Sequence, residues 1–267
     1  MTEFVEIQGE PLAVHVFEPS RRRGDALLIH GFTGSKEDFA EMGAHLSLRG
    51  YRVVTCDNRG QHESPHSQRE DAYTIASLAR DAVALAGHFG LERPHLLGHS
   101  FGGLVALRAT VLDPTRWSSL TMFCSGPSGF SEAPDLEEML RVLPTMSMEE
   151  AWFTHRDRDA KQWSTYELLK RRWLMSDRRS VLTHAQELLS APSLVDDVAA
   201  LGKPAHVVYG EHDDAWPLAV QDRMASDLRA ITSVISGASH CPNEDRPEYA
   251  AQVLADFWDH CSSSTVS

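Results

Sequence analysis

The chain has 267 residues, long enough for one large domain or two small ones. It is 42% hydrophobic and 24% charged, which excludes wholesale disorder. Its formal net charge is -13, so a nucleic acid or an anionic membrane surface would repel it. Cys56, Cys124, Cys241 and Cys261 are too few for a disulfide scaffold and show no C-x-x-C spacing. Reduced thiols in a cytoplasm are the expectation.

The N-terminus, Met1-Thr2-Glu3-Phe4-Val5-Glu6, lacks the basic-then-apolar pattern of a signal peptide. No apolar run approaches the roughly 18 residues of a membrane span. Residues 3–8 and 12–18 alternate in polarity with no helix between them, which predicts an antiparallel hairpin at a sheet edge. Ala26–Ile29, Tyr51–Cys56 and His95–Leu97 read as buried strands. Ile75, Leu78, Ala79, Ala82, Val83, Leu85 and Ala86 repeat at helical spacing. Strands alternating with helices predict a parallel α/β sheet with right-handed crossovers.

Residues 128–197 break this rhythm with helical patterns and no strands. Asp135–Leu143 reads as one helix. Ser147/Glu150 and Ser164/Glu167 match capping boxes, and Asp177 opens a further helix to about Ala191. The segment 128–197 is therefore expected as a helical lid inserted in a core made of 1–127 and 198–267. Strands return at Ser118–Cys124, His206–Tyr209 and Ile231–Ile235, and a helix at about 245–260 closes the fold ahead of a polar tail, 261–267.

The sharpest chemical signal is Gly98-His99-Ser100-Phe101-Gly102, a G-x-S-x-G between an apolar strand and a helical run. So tight a turn needs flanking glycines and lifts the serine above the sheet at a helix N-terminus. A serine hydroxyl is a weak nucleophile until an imidazole takes its proton and a carboxylate holds that imidazole's tautomer. His240 follows one predicted strand, and Asp213 and Asp214 follow another. The order Ser, Asp, His and the placement past strand C-terminal ends suit such a site. Because only neutral imidazole accepts the proton, activity is expected to rise with pH as His240 deprotonates.

These motifs make the chain resemble an α/β-hydrolase fold protein over nearly its whole length. His30-Gly31-Phe32-Thr33-Gly34 resembles the oxyanion loop, Asp57–Ser64 the D-x-R-G-x-G-x-S turn, and Gly210–Pro217 the G-x-x-D-x-x-x-P segment. The resemblance implies a mostly parallel eight-stranded sheet flanked by helices, with an inserted helical lid. It implies Ser100 as nucleophile, Asp213 rather than Asp214 as acid, His240 as base, and the Phe32 and Phe101 N–H groups as oxyanion hole, each worth about 3 kcal/mol. No cofactor and no metal are expected.

His62 replaces the turn's second glycine and is expected as a surface histidine; Cys241 is expected as packing. The lid cations Arg156, Arg158, Lys170, Arg171, Arg172, Arg178 and Arg179 are expected on a solvated face. His30, His99, Trp152 and Trp216 are candidates for substrate contact. The lid's apolar side chains, Met139, Leu143, Trp163 and Trp173 among them, suggest a small-to-medium hydrophobic substrate. The expected reaction is carboxylic ester hydrolysis through an acyl-enzyme. A C–C bond hydrolase or a proton-abstracting lyase like that of menaquinone biosynthesis is the alternative, and a non-catalytic small-ligand receptor is the alternative of another class. Monomer and homodimer both stay open.

Overall fold

The computed structural model describes residues 2–157 and 165–263. Arg158, Trp163 and the Ser164 end of the second capping box lie outside the described residues, as does most of the polar tail.

The strands are β1 (Glu3–Ile7), β2 (Glu10–Phe17), β3 (Gly24–Ile29), β4 (Tyr51–Cys56), β5 (His95–His99), β6 (Ser119–Phe123), β7 (Ala205–Gly210) and β8 (Ile231–Ile235). They form a single sheet in the order β1-β2-β4-β3-β5-β6-β7-β8. β1 and β2 pair antiparallel, β2 meets β4 antiparallel, and every later pairing is parallel. The expected hairpin is therefore present at one edge. Central strands such as β3 and β5 are buried on both faces, which is why they read as unbroken apolar runs.

The helices are α1 (Ala40–Leu48), α2 (Ile75–His88), α3 (Phe101–Leu112), α4 (Pro134–Val142), α5 (Met148–Ala151), α6 (Tyr166–Met175), α7 (Arg178–Ser190), α8 (Val195–Ala200), α9 (Leu218–Leu228), α10 (Pro242–Asp245) and α11 (Pro247–Ser263). α1 packs on α11, and α2 packs on α3, while α8 and α9 pack together beside β7. In α2 the Thr74 side chain accepts from the Ser77 N–H, and Ile75, Leu78, Ala79, Ala82, Leu85 and Ala86 form its buried stripe.

Helices α4 to α7 lie between β6 and β7 with no strand among the described residues. The first capping box is formed at Ser147/Glu150, and Asp177 caps α7. Leu143, Ala151, Trp152, Trp173 and Val181 make a small apolar cluster apart from the main core. Phe32 packs against both clusters. α8 straddles residue 197 and buries Val195 and Val198 in the main core.

The chain runs from β3 outward to β4, then returns to β5 on the other side of β3. Loops leaving β3 and β5 at their C-terminal ends thus diverge around a crevice, the place where open α/β sheets hold ligands.

Candidate active site

Ser100 joins β5 to α3 with φ 53° and ψ -122°, a strained conformation for a residue with a side chain. Its surroundings impose it. The Ser100 N–H donates to the Phe123 carbonyl at 2.9 Å, and its carbonyl accepts from Ser125 Oγ at 2.7 Å. A Cβ at Gly102 would lie 2.3 Å from the Ile29 carbonyl oxygen, so helix and strand close together only without one. Phe101 is the first residue of α3, where the N–H has no intrahelical acceptor.

The loops after β7 and β8 bring Asp213 and His240 into contact. His240 Nδ1 donates to Asp213 Oδ1 at 2.8 Å. Oδ1 also accepts from the Ala215 N–H at 3.1 Å, and Oδ2 accepts from Gln221 Nε2 at 2.8 Å. Burial by itself would raise the Asp213 pKa, but the hydrogen bond from His240, that ring's charge and the Gln221 amide carry it below the ordinary carboxylate range. The carboxylate therefore stays an acceptor for the Nδ1–H of His240.

Ser100 and His240 share one corner of the sheet through His99. The His99 ring lies 5.1 Å from the His240 ring, and its Nε2 donates to the His240 carbonyl at 2.9 Å. Burial, then the neighbouring His240 charge, drive the His99 pKa down to about 3, so this ring is a neutral donor. It anchors the backbone of residue 240. His30 has an analogous place. It is fully buried, Nδ1 donates to the Gly31 carbonyl at 2.8 Å, and Nε2 accepts the Asn58 N–H at 2.8 Å. Both histidines proposed for substrate contact thus hold main chain. The loop that His30 starts touches the serine: a Cβ on Gly31 would lie 3.0 Å from Ser100 Cβ.

Trp216 stacks on Phe130 at 4.4 Å and lies 6.4 Å from the His240 ring. Trp152 is buried in the small cluster beside Tyr166. Cys241 is half-buried with its pKa pushed up by burial, which suits packing.

Two expectations are corrected. His62 is buried, not on the surface. Its Nδ1 lies 3.3 Å from Glu37 and 3.4 Å from Asp57. Burial opposes its charge, but these two carboxylates prevail and raise its pKa to about 9. It is a cation at neutral pH beside Lys36, whose Nζ contacts Asp57, Glu37 and Glu63 at 2.8–2.9 Å. The cations of segment 128–197 are not simply solvated either. Arg171 pairs with Glu63 at 2.7 Å, and Arg172 forms a buried ion pair with Asp38. Arg156 lies over the Trp173 ring, and Arg179 over Tyr73. Arg178 and Arg179 also donate to the carbonyls of Met146 and Arg69. The sequence pattern showed their helices but not the carboxylates and carbonyls waiting on remote loops.

Gln221 is the supporting residue that no motif announced. A signal existed: Gln221, Met224, Ala225 and Leu228 form the buried stripe of α9, so a polar side chain sits at a core position. Such a residue needs a buried partner, and here the partner is Asp213. Two sets of donor atoms lie within 4.8 Å of one another, Cys124/Asp213/His240 and Glu37/Asp57/His62. In both, the carboxylates already accept from protein donors.

Comparison with known proteins agrees with this architecture. The chain is 23% identical over 278 residues to an uncharacterised hydrolase of Bacillus subtilis, YugF, covering 91% of this chain and 92% of that protein. It is 22% identical to 3-oxoadipate enol-lactonase 1 of Acinetobacter baylyi, covering 94% of each. The solved enol-lactonase of Burkholderia xenovorans superposes with a TM-score of 0.81 at 19% identity, over 96% of this chain and all of that one, which shows a shared fold. A sequence model of the alpha/beta hydrolase family matches residues 26–253. With most of its length inside that match, and with the sheet order and strand-to-helix serine described above, the chain belongs to the alpha/beta hydrolase family of enzymes.

Proposed function

We propose that this hydrolase cleaves a carboxylic ester of a small-to-medium hydrophobic substrate. The single observation that carries the reading is the His240–Asp213 hydrogen bond of 2.8 Å, joined through His99 to the strand end that carries the strained serine. In the proposed reaction, Ser100 Oγ attacks the carbonyl carbon and its proton passes to His240 Nε2. The Phe32 and Phe101 N–H groups receive the oxyanion. Collapse expels the alkoxide, which takes the proton from His240 and leaves an acyl-serine. Water, deprotonated by His240, then releases the acid and the free enzyme.

The helical segment 128–197 acts as a lid in this reading. A cavity of about 300 Å³ lies among its helices, lined by Met139, Val142, Leu143, Ala151 and Trp173 together with Asp135, Glu138, His155 and Arg156, and none of the proposed catalytic residues borders it. Two of the similar proteins are named enol-lactonases, which supports esters and lactones, while a relative named 2-succinyl-6-hydroxy-2,4-cyclohexadiene-1-carboxylate synthase, 24% identical over 86% of this chain, supports the lyase alternative. The lyase alternative needs lid arginines available to a substrate carboxylate, whereas Arg171 and Arg172 already pair with Glu63 and Asp38. No disulfide joins any of the four cysteines, which fits a cytoplasmic setting, and no described helix is long and apolar enough to cross a membrane.

The test is fluorophosphonate labelling of the wild type and Ser100→Ala, with p-nitrophenyl acetate turnover beside it. Labelling and turnover that both vanish in the variant are expected. Labelling without ester turnover would move the assignment to C–C bond cleavage or the lyase. No labelling at all would point to a ligand receptor.

A further inference from the structure

Asp38 stands where three parts of the proposed machinery meet. It lies in the short helical turn Lys36–Phe39 that follows the loop carrying Phe32. Its Oδ2 accepts the Ser35 N–H at 3.2 Å. A Cβ on Gly34 would lie 2.3 Å from that same oxygen, so the carboxylate presses directly on the loop backbone. Its main-chain carbonyl accepts from Asn243 Nδ2 at 2.7 Å, three residues beyond His240. Its remaining oxygen, Oδ1, pairs with Arg172, which comes from lid helix α6. Both partners are buried, at 5% and 7% exposure, so water is a poor substitute for either.

The arrangement has a physical consequence. Without the guanidinium, Asp38 Oδ1 would be a buried charge with no counter-ion. The carboxylate would then turn toward solvent, loosening its hold on Ser35 and on the turn at Gly34. Phe32 is close to that turn, and its ring already bridges the main core and the lid cluster. The Phe32 N–H is therefore held in place from the lid side.

We propose that Arg172 is a positioning residue for the oxyanion loop, so that docking of α6 completes the hole. This rests on the ester-hydrolase reading. A hydrogen-bond donor displaced by about 1 Å costs on the order of 10²-fold in rate. Arg172 touches no reacting atom in this scheme and acts through Asp38.

The experiment compares wild type, Arg172→Met, Arg172→Lys, Asp38→Asn and the Met/Asn double variant on p-nitrophenyl acetate. Arg172→Met is expected to lower kcat on the order of 10²-fold, with KM within about threefold and the pH midpoint unmoved. Affinity for an aryl boronic acid, which forms a tetrahedral adduct on the serine, should fall by the same factor as kcat/KM. Arg172→Lys should regain part of the loss. Adding Arg172→Met to Asp38→Asn should cost no more than about twofold, since the pair is already broken. Long-incubation fluorophosphonate labelling counts intact sites, so a folding defect is read separately. If Arg172→Met proves insoluble, Asp38→Asn is read by the same boronate criterion. Boronate affinity unchanged, an effect on KM alone, or additive losses would overturn the inference. A wild type that neither labels nor turns over ester would instead overturn the ester-hydrolase reading beneath it.

Discussion

The Gln221 amide and the His240 ring bond opposite oxygens of Asp213: Gln221 Nε2 is 2.8 Å from Oδ2, and His240 Nδ1 is 2.8 Å from Oδ1. Gln221 is fully buried and also donates to the Trp216 carbonyl at 3.3 Å. One side chain thus ties the proposed acid to the segment that carries it. Replacing it removes a hydrogen bond from a buried carboxylate. Gln221→Leu is expected to lose about 1–3 kcal/mol of stability and roughly tenfold in kcat with KM unchanged. Urea unfolding and steady-state ester kinetics measure both, and an unaltered kcat would remove Gln221 from the machinery.

Asp213→Asn tests the acid itself. Both carboxylate oxygens accept N–H donors, from Ala215 and His240 on one side and Gln221 on the other. An amide has only one acceptor oxygen, so one donor is left facing an NH₂ group. If that donor is His240, its tautomer reverses and Nε2 carries the proton it should receive. A fall in kcat of about 10⁴-fold is expected, with the fold retained. Circular dichroism and burst kinetics check it, and activity within tenfold of wild type would reject Asp213 as the acid.

His62 makes alkaline stability a readout of the buried ion cluster. Its pKa is raised from 6.5 to about 9 in the folded chain. A group whose folded pKa is raised stabilises fully below its unfolded value and loses that contribution as pH rises through the folded one. Stability should therefore decline between about pH 6.5 and pH 9, by at most about 3 kcal/mol from this group. His62→Gln should flatten that slope. Thermal melts across the range decide it, and identical slopes in both proteins would contradict the assignment.

Gly102→Ala tests how tightly the elbow is closed. The added methyl would meet the Ile29 carbonyl oxygen at 2.3 Å, and that oxygen belongs to β3, which has no room to move. A loss of at least about 1–3 kcal/mol is expected from overpacking. The same shift pulls α3 from the sheet, so labelling of Ser100 should slow. A variant as stable and as reactive as wild type would show that the glycine is dispensable.

Much of this protein was legible in one dimension because the features involved are local. A strand-turn-helix with glycines around Ser100 is written within a few residues, and so are the unbroken apolar runs of buried β3 and β5. Candidates for acid and base could be chosen because loops after successive parallel strands must emerge at the same sheet end. Gln221 was half legible, as a polar residue in an apolar stripe.

Charge pairing was not legible, because it depends on who is buried next to whom. The same histidine type is a cation near Glu37 and Asp57 at residue 62 and a neutral strut at residue 99. Arg172 looks like any solvated helix charge until α6 packs over the loop that carries Asp38, more than a hundred residues earlier. Sequence alone determined the order of elements and the strand-to-helix turn at Ser100, since both follow from short-range backbone geometry and hydrophobic period. Only the tertiary structure decided which charged side chains are buried and which remote partners they meet, because burial and opposite charge act across space between segments the chain leaves far apart.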